Sequence, residues 1–125
     1  MKFLLDTHIL LWWLADDPCL CETARDVIAD ESSVLFVSAA TVWEIAIKKA
    51  AGKLEAPDDL ALALEVNRFK ALPITIPHAE AAGRLPQRHP DPFDRMLVAQ
   101  AQIERMRLLT HDRRLTLYGE FVELV

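Results

Sequence analysis

Four acidic residues scattered through the 125-residue sequence, Asp6, Glu44, Asp94 and Asp112, fall where an α/β fold would gather ligating side chains. Asp6 directly follows the apolar run Phe3-Leu4-Leu5, and Asp112 lies two residues past Arg107-Leu108-Leu109-Thr110. In parallel sheets, ligands bind beyond the carboxyl ends of the strands, where both of these acids would sit. Asp94 occupies the first turn of the helix that leads into the second run. Glu44 lies six residues past Ser38, a helical rise of only ~9 Å, so an inward-facing glutamate can still reach the same rim. Carboxylates drawn together repel and raise one another's pKa unless a cation neutralises them. Oxygen-only donors select a hard ion, Mg²⁺ or Mn²⁺, and the absence of cysteine or paired-histidine ligand spacing argues against zinc. Such ions polarise phosphoryl oxygens and activate water, so the natural chemistry is phosphodiester hydrolysis.

Each acid also has a plainer explanation. Asp6 could cap a helix before Ile9. Glu44 could complete a capping box with Thr41, or pair with Lys48 four residues on, although Val42, Trp43, Ile45 and Ile47 make unusually apolar company for a solvated acid. Asp94 is the acid any helix start welcomes after Asp91-Pro92, with Asp91 itself read as the N-cap. Asp112 could serve the turn before Arg113 and Leu115. Spacing alone leaves both sets of explanations open. Trp12, Trp13 and Trp43 read as core or interface packing, with the pair on a short helix also suited to a protein-binding surface. His8, His78, His89 and His111 share no ligand spacing and read as structural or solvent-facing. Arg95 and Arg113 either hold phosphates or pair with nearby acids.

The elements that would position these residues alternate between strand and helix. Strands are expected at 3–5, 34–37, 72–76, 107–110 and 121–125, with Pro73 pushing the third toward a sheet edge or marking its start. Helices are expected at 9–14, 22–30, 39–51 (capped by Ser38 and stopped by Gly52), 57 or 58 to 69, 77–85 and 92–104. That alternation predicts an α/β fold, a three-layer α/β/α sandwich around a mainly parallel sheet. The three glycines, Gly52, Gly83 and Gly119, exclude a P-loop or a glycine-rich dinucleotide turn.

The length suits one domain spanning 1–125, and a composition of 52% hydrophobic and 26% charged residues can bury a core. The N-terminal apolar stretch is interrupted by Asp6 and His8, and the run 9–15 is far short of the ~20 residues a membrane span needs, so no membrane association and a cytoplasmic location are expected. Cys19 and Cys21 stand too close for an ordinary disulfide and read as reduced bystanders. The net charge of −5 disfavours nonspecific nucleic-acid binding, which rests on basic residues. A nuclease would need bound cations to invert the local field, helped by Lys48, Lys49, Lys53, Arg84, Arg88, Arg95, Arg113 and Arg114.

Four segments in order resemble the PIN-domain family, in particular the VapC-type toxins of bacterial toxin–antitoxin pairs. They are Leu4-Leu5-Asp6-Thr7-His8, Ser38 through Lys48, His89 through Ala101, and Leu109-Thr110-His111-Asp112. The resemblance spans nearly the whole chain, and the four segments together are specific where one would be weak. It implies that Asp6, Glu44, Asp94 and Asp112 are the acidic catalytic and metal-binding positions, with Thr110 as a small hydroxyl residue near the metal. It further implies an endoribonuclease dependent on Mg²⁺ or Mn²⁺, an RNA substrate, a homodimer, and a cognate antitoxin whose tail wraps the toxin. The rival of a different class is a catalytically silent α/β regulatory or protein-binding module that retains the acids for capping. A receiver-like phosphoryl acceptor fits poorly, because Asp6 stands without a neighbouring acid and no lysine follows the late strand.

Overall fold

Phe3, Leu4 and Leu5 are all buried, so this segment needs cover on both faces, a condition that the interior of a parallel sheet meets. They belong to β1 (Lys2–Leu5), the central strand of the computed structural model, which describes residues 1–125. β2 (Val34–Ser38) and β3 (Lys70–Leu72) extend the sheet on one side, and β4 (Arg107–Thr110) and β5 (Val122–Leu124) on the other. The order is β3-β2-β1-β4-β5 and every pairing is parallel.

Six helices fill the connections: α1 (Thr7–Leu14), α2 (Glu22–Ala29), α3 (Ala39–Ala50), α4 (Leu60–Val66), α5 (Ile76–Arg84) and α6 (Pro92–Glu104). A 3₁₀ turn (Arg113–Tyr118) precedes β5. The two-residue period of the strands splits the core into two clusters. Phe3, Leu5 and Leu109 pack with Ile9 and Leu10 of α1, Ala24 and Ile28 of α2, and Ile45 of α3. Leu4 and Leu108 pack with Leu97, Val98 and Ala101 of α6, and with Leu85 and Leu115. These two cores on opposite sides of one sheet make the expected three-layer sandwich.

Local chemistry sets most boundaries as the residues dictate. Ser38 Oγ accepts the Ala40 N–H at 3.0 Å, and Gly52, just past α3, has φ +70°, the left-handed geometry of a helix stop. Asp91 Oδ1 accepts from the main-chain N–H of Phe93 at 2.8 Å, fixing the start of α6. Expected boundaries move at the fourth helix and the third strand, and the fourth helix starts at Leu60 rather than at 57 or 58, with the Asp59 carboxylate accepting the Leu62 N–H at 3.0 Å. The fourth helix ends at Val66, because Arg68 turns into the left-handed region with φ 60°. The strand then begins at Lys70 rather than Leu72, pairing Phe36–Ser38 with Lys70–Leu72, and Pro73 ends the strand instead of opening it.

Arg95, expected to meet phosphates or acids, does neither. It is buried, and its guanidinium donates to the main-chain oxygens of Ala82, Leu85 and Pro86 at 3.0 to 3.1 Å. It therefore satisfies carbonyls at the end of α5 and ties the following loop to α6. No helix is long and apolar enough to cross a membrane. Both cysteines are free and exposed.

Candidate active site

The chain winds from β1 outward to β3 and returns to place β4 on the other side of β1, so the connections leaving β1 and β4 diverge. A crevice opens at such a switch point. Asp6 and Asp112 stand at its two sides, held in register by the Asp6 N–H donating to the Leu109 carbonyl at 3.0 Å. The cleft has a volume of about 360 Å³, and Asp6, Glu44, Asp94 and Asp112 all line it, together with Asp91, Lys48, His89 and Arg114.

Asp6 is buried, and it makes no side-chain cap to α1 although it occupies the capping position. Its carboxylate instead accepts the Thr110 hydroxyl at 2.5 Å, and Thr110 Oγ1 in turn accepts the Asp112 N–H at 3.0 Å. One hydroxyl thus couples the acids that end β1 and β4. Burial drives the Asp6 pKa upward, against the Thr110 hydrogen bond that favours the charged form. Thr110→Val would remove the donor to Asp6 and leave a backbone N–H without its partner, costing about 1–3 kcal/mol. Urea unfolding would read that loss, and activity that depends on Asp6 is expected to fall roughly 10–100-fold, as for other groups that orient ligands.

Glu44 is only 3% exposed, although it sits mid-helix on α3. Its Oε1 accepts the Thr7 hydroxyl at 2.6 Å and its Oε2 takes Lys48 Nζ at 2.5 Å. The i,i+4 partnership with Lys48 is therefore real and lies inside the cleft, where it orients the acid. The capping box with Thr41 is not formed, since Ser38 caps α3.

Asp94 lies in the first turn of α6, one turn past the Asp91 cap. Burial, reinforced by the negative charges of Asp6, Asp91, Glu44 and Asp112, pushes its pKa from 3.8 up to about 8. Asp112 goes the other way. Burial acts to raise it, but hydrogen bonds from Arg114 and His89 outweigh that and hold it at about 2. Asp112 also caps the 3₁₀ turn through the Arg114 N–H at 3.0 Å, so its turn-forming and cleft-lining roles coexist.

His89 is the site residue that spacing did not single out. It is buried in the proline-rich loop before α6, with Nε2 at 2.8 Å from Asp112 Oδ2 and 3.3 Å from Asp94 Oδ2. Its Nδ1 accepts the Asp91 N–H at 3.1 Å, which puts the proton on Nε2. His89 therefore donates to Asp112 with the Asp94 carboxylate alongside, although its ligating nitrogen and theirs lie within 4.8 Å of one another. No spacing rule predicts it, because its hydrogen-bond partner Asp112 is 23 residues away; its place inside the segment His89 through Ala101 was the one available signal. His8, Trp12 and His111 also line the cleft, whereas of the basic residues expected nearby only Lys48 and Arg114 do so. Trp43 is 63% exposed and meets Phe93 edge-on at 5.6 Å, so it is not core.

The donor set fits a hard divalent cation. Carboxylates line one cleft, and Asp94, raised first by burial and then by the acids around it, sits where a cation would relieve their repulsion. All four predicted acids line the cleft, but of them only Asp94 and Asp112, with His89, bring ligand atoms within 4.8 Å of one another, and Asp6 and Glu44 stand outside that group.

Comparison with known proteins places the fold and the sequence. The sequence model of the PIN domain family matches residues 3–120. Ribonuclease VapC22 of Mycobacterium tuberculosis is 31% identical over 115 residues, covering 90% of this chain and 88% of that protein. Among solved structures, VapBC2 from Rickettsia felis, bound to a DNA fragment from its promoter, matches with a TM-score of 0.71 at 13% identity, over 100% of this chain and 98% of that one. A toxin–antitoxin complex from Klebsiella pneumoniae matches with a TM-score of 0.69 at 20% identity, over 96% and 94%. The two structures share the fold, and the family match covers both ends of the cleft-forming sequence. The chain belongs to the PIN domain family.

Proposed function

We propose that this chain is a single-domain, metal-dependent endoribonuclease, the toxin of a toxin–antitoxin pair, which hydrolyses RNA phosphodiester bonds. The observation that carries the reading is the convergence of Asp6, Glu44, Asp94 and Asp112 on one cleft at the β1/β4 switch point. The similarity to a VapC ribonuclease supports RNA as substrate, and the structural likeness to a toxin–antitoxin complex supports an antitoxin partner. A homodimer acting in the cytoplasm completes the proposal.

In it, Asp6, Glu44, Asp94 and Asp112 hold Mg²⁺ or Mn²⁺. Such an ion supplies Lewis-acid polarisation of the phosphoryl group and lowers the pKa of water. The remaining work falls to the chain. Thr110 orients Asp6, Thr7 orients Glu44, and His89 spans Asp94 and Asp112, so that each carboxylate is fixed before substrate arrives. Lys48 and Arg114, lining an otherwise acidic cleft, present the positive charge that can meet a phosphate.

The silent-module alternative loses its main support, because Asp6 caps nothing and Glu44 is buried without a capping role. Expression of wild type and Asp6→Asn without a partner, followed by sequencing of RNA ends, tests the proposal. Growth arrest with mapped cuts is expected from wild type only. Equal growth and no new RNA ends in both strains would refute it.

A further inference from the structure

Trp12 is the only hydrophobic side chain among the eleven that line the acidic cleft. It is half-buried, packed against the core while also lining the cleft. Two exposed imidazoles flank it: His8 lies 5.9 Å away, tilted by 51°, and His111 lies 5.3 Å away, edge-on at 74°. His8 and Trp12 are four residues apart on α1 and so share a face, while His111 immediately precedes Asp112. Three aromatic rings therefore form a continuous rim beside Asp6 and Asp112.

We infer that this rim, centred on Trp12, is a stacking platform for an unpaired base next to the phosphate held in the cleft. The inference rests on the ribonuclease reading above and adds the residue that holds a base of the substrate. A nucleic acid brought to a net-negative protein gains little from charge outside the cleft, so affinity must come from another source. Base–aromatic stacking provides about 1–3 kcal/mol per base and tolerates any sequence, because every base has a π-face. Mutual packing explains why the rings touch one another, but not why an indole opens into a cleft otherwise lined by polar groups.

The test uses a fluorescein-labelled 12-nucleotide single-stranded RNA of mixed sequence, and an abasic sugar-phosphate oligomer of equal length, bound in Ca²⁺ and followed by anisotropy. Trp12→Leu keeps the apolar contact with the core and removes the aromatic face; Trp12→Phe restores an aromatic face. Trp12→Leu is expected to weaken binding of the base-bearing RNA roughly 5–100-fold, in keeping with the loss of one stacked base. Trp12→Phe should lie within a few-fold of wild type, and all three proteins should bind the abasic oligomer alike. Unchanged RNA affinity in Trp12→Leu, or an equal loss toward the abasic oligomer, would overturn the platform. Wild type that cuts RNA in cells yet shows no preference for the base-bearing oligomer would overturn the platform while leaving the ribonuclease reading intact.

Discussion

Asp94→Asn is expected to make the metal-free protein more stable at pH 8 while lowering RNA cleavage by at least about 100-fold, the scale of loss seen when a metal site is impaired. The two effects have one origin. The carboxyl of Asp94 titrates at about 8 in the fold against 3.8 ordinarily, first because it is buried and then because four other acids face it. The folded value lies above the unfolded one, so across that window the native chain keeps a proton that the unfolded chain has released. Stability of the metal-free wild type is therefore greatest at acid pH and falls as pH rises, by up to about 1.4 kcal/mol per pH unit. Asparagine carries no such penalty. Its advantage should vanish near pH 4 and reach the order of 2–4 kcal/mol at pH 8, read by urea unfolding in EDTA. A variant less stable than wild type at pH 8 would mean that Asp94 is held by interactions stronger than the repulsion it meets.

Addition of Mn²⁺ is expected to shrink that advantage. A cation that binds the native cleft and not the unfolded chain adds RT ln(1 + [L]/Kd), about 2.7 kcal/mol at a hundredfold excess over Kd. For a chain of this size that corresponds to a rise in Tm of roughly 10 °C. Wild type should gain it in full at pH 8, Asp94→Asn only a fraction, and Thr110→Val an intermediate amount, since Thr110 orients Asp6 without itself being charged. An equal rise in wild type and in a variant lacking all four acids would place the ion elsewhere.

The gain from sequence to structure differed among the four acids for physical reasons. Asp6 and Asp112 follow strands whose apolar runs are unambiguous, so their placement was legible from strand-end logic alone. Glu44 and Asp94 lie in helices, where capping and i,i+4 pairing compete with a site as explanations. The structure resolves that competition unevenly: Glu44 does pair with Lys48, and the pair is part of the cleft. His89 was invisible to spacing because a donor to a carboxylate needs no periodic relation to it. Arg95 misled because a buried arginine satisfying helix-end carbonyls looks, in sequence, like one that meets phosphates. The third strand was displaced by two residues because Pro73 can stand either before or after a strand, and only the pairing with β2 decides. Net charge, an objection at first, now marks where binding must come from: the cation, Lys48 and Arg114 inside the cleft, and the aromatic rim at its mouth.

Cleavage of purified cellular RNA by the purified, antitoxin-free chain tests the central claim most directly, with Mn²⁺ or Mg²⁺ present or removed by EDTA and with Asp6→Asn alongside. Defined RNA fragments should form with wild type and metal, and should be lost with EDTA and with Asp6→Asn. Cutting that persists unchanged in EDTA or in Asp6→Asn, or intact RNA under every condition, would contradict the account of the four carboxylates as a metal-dependent nuclease site.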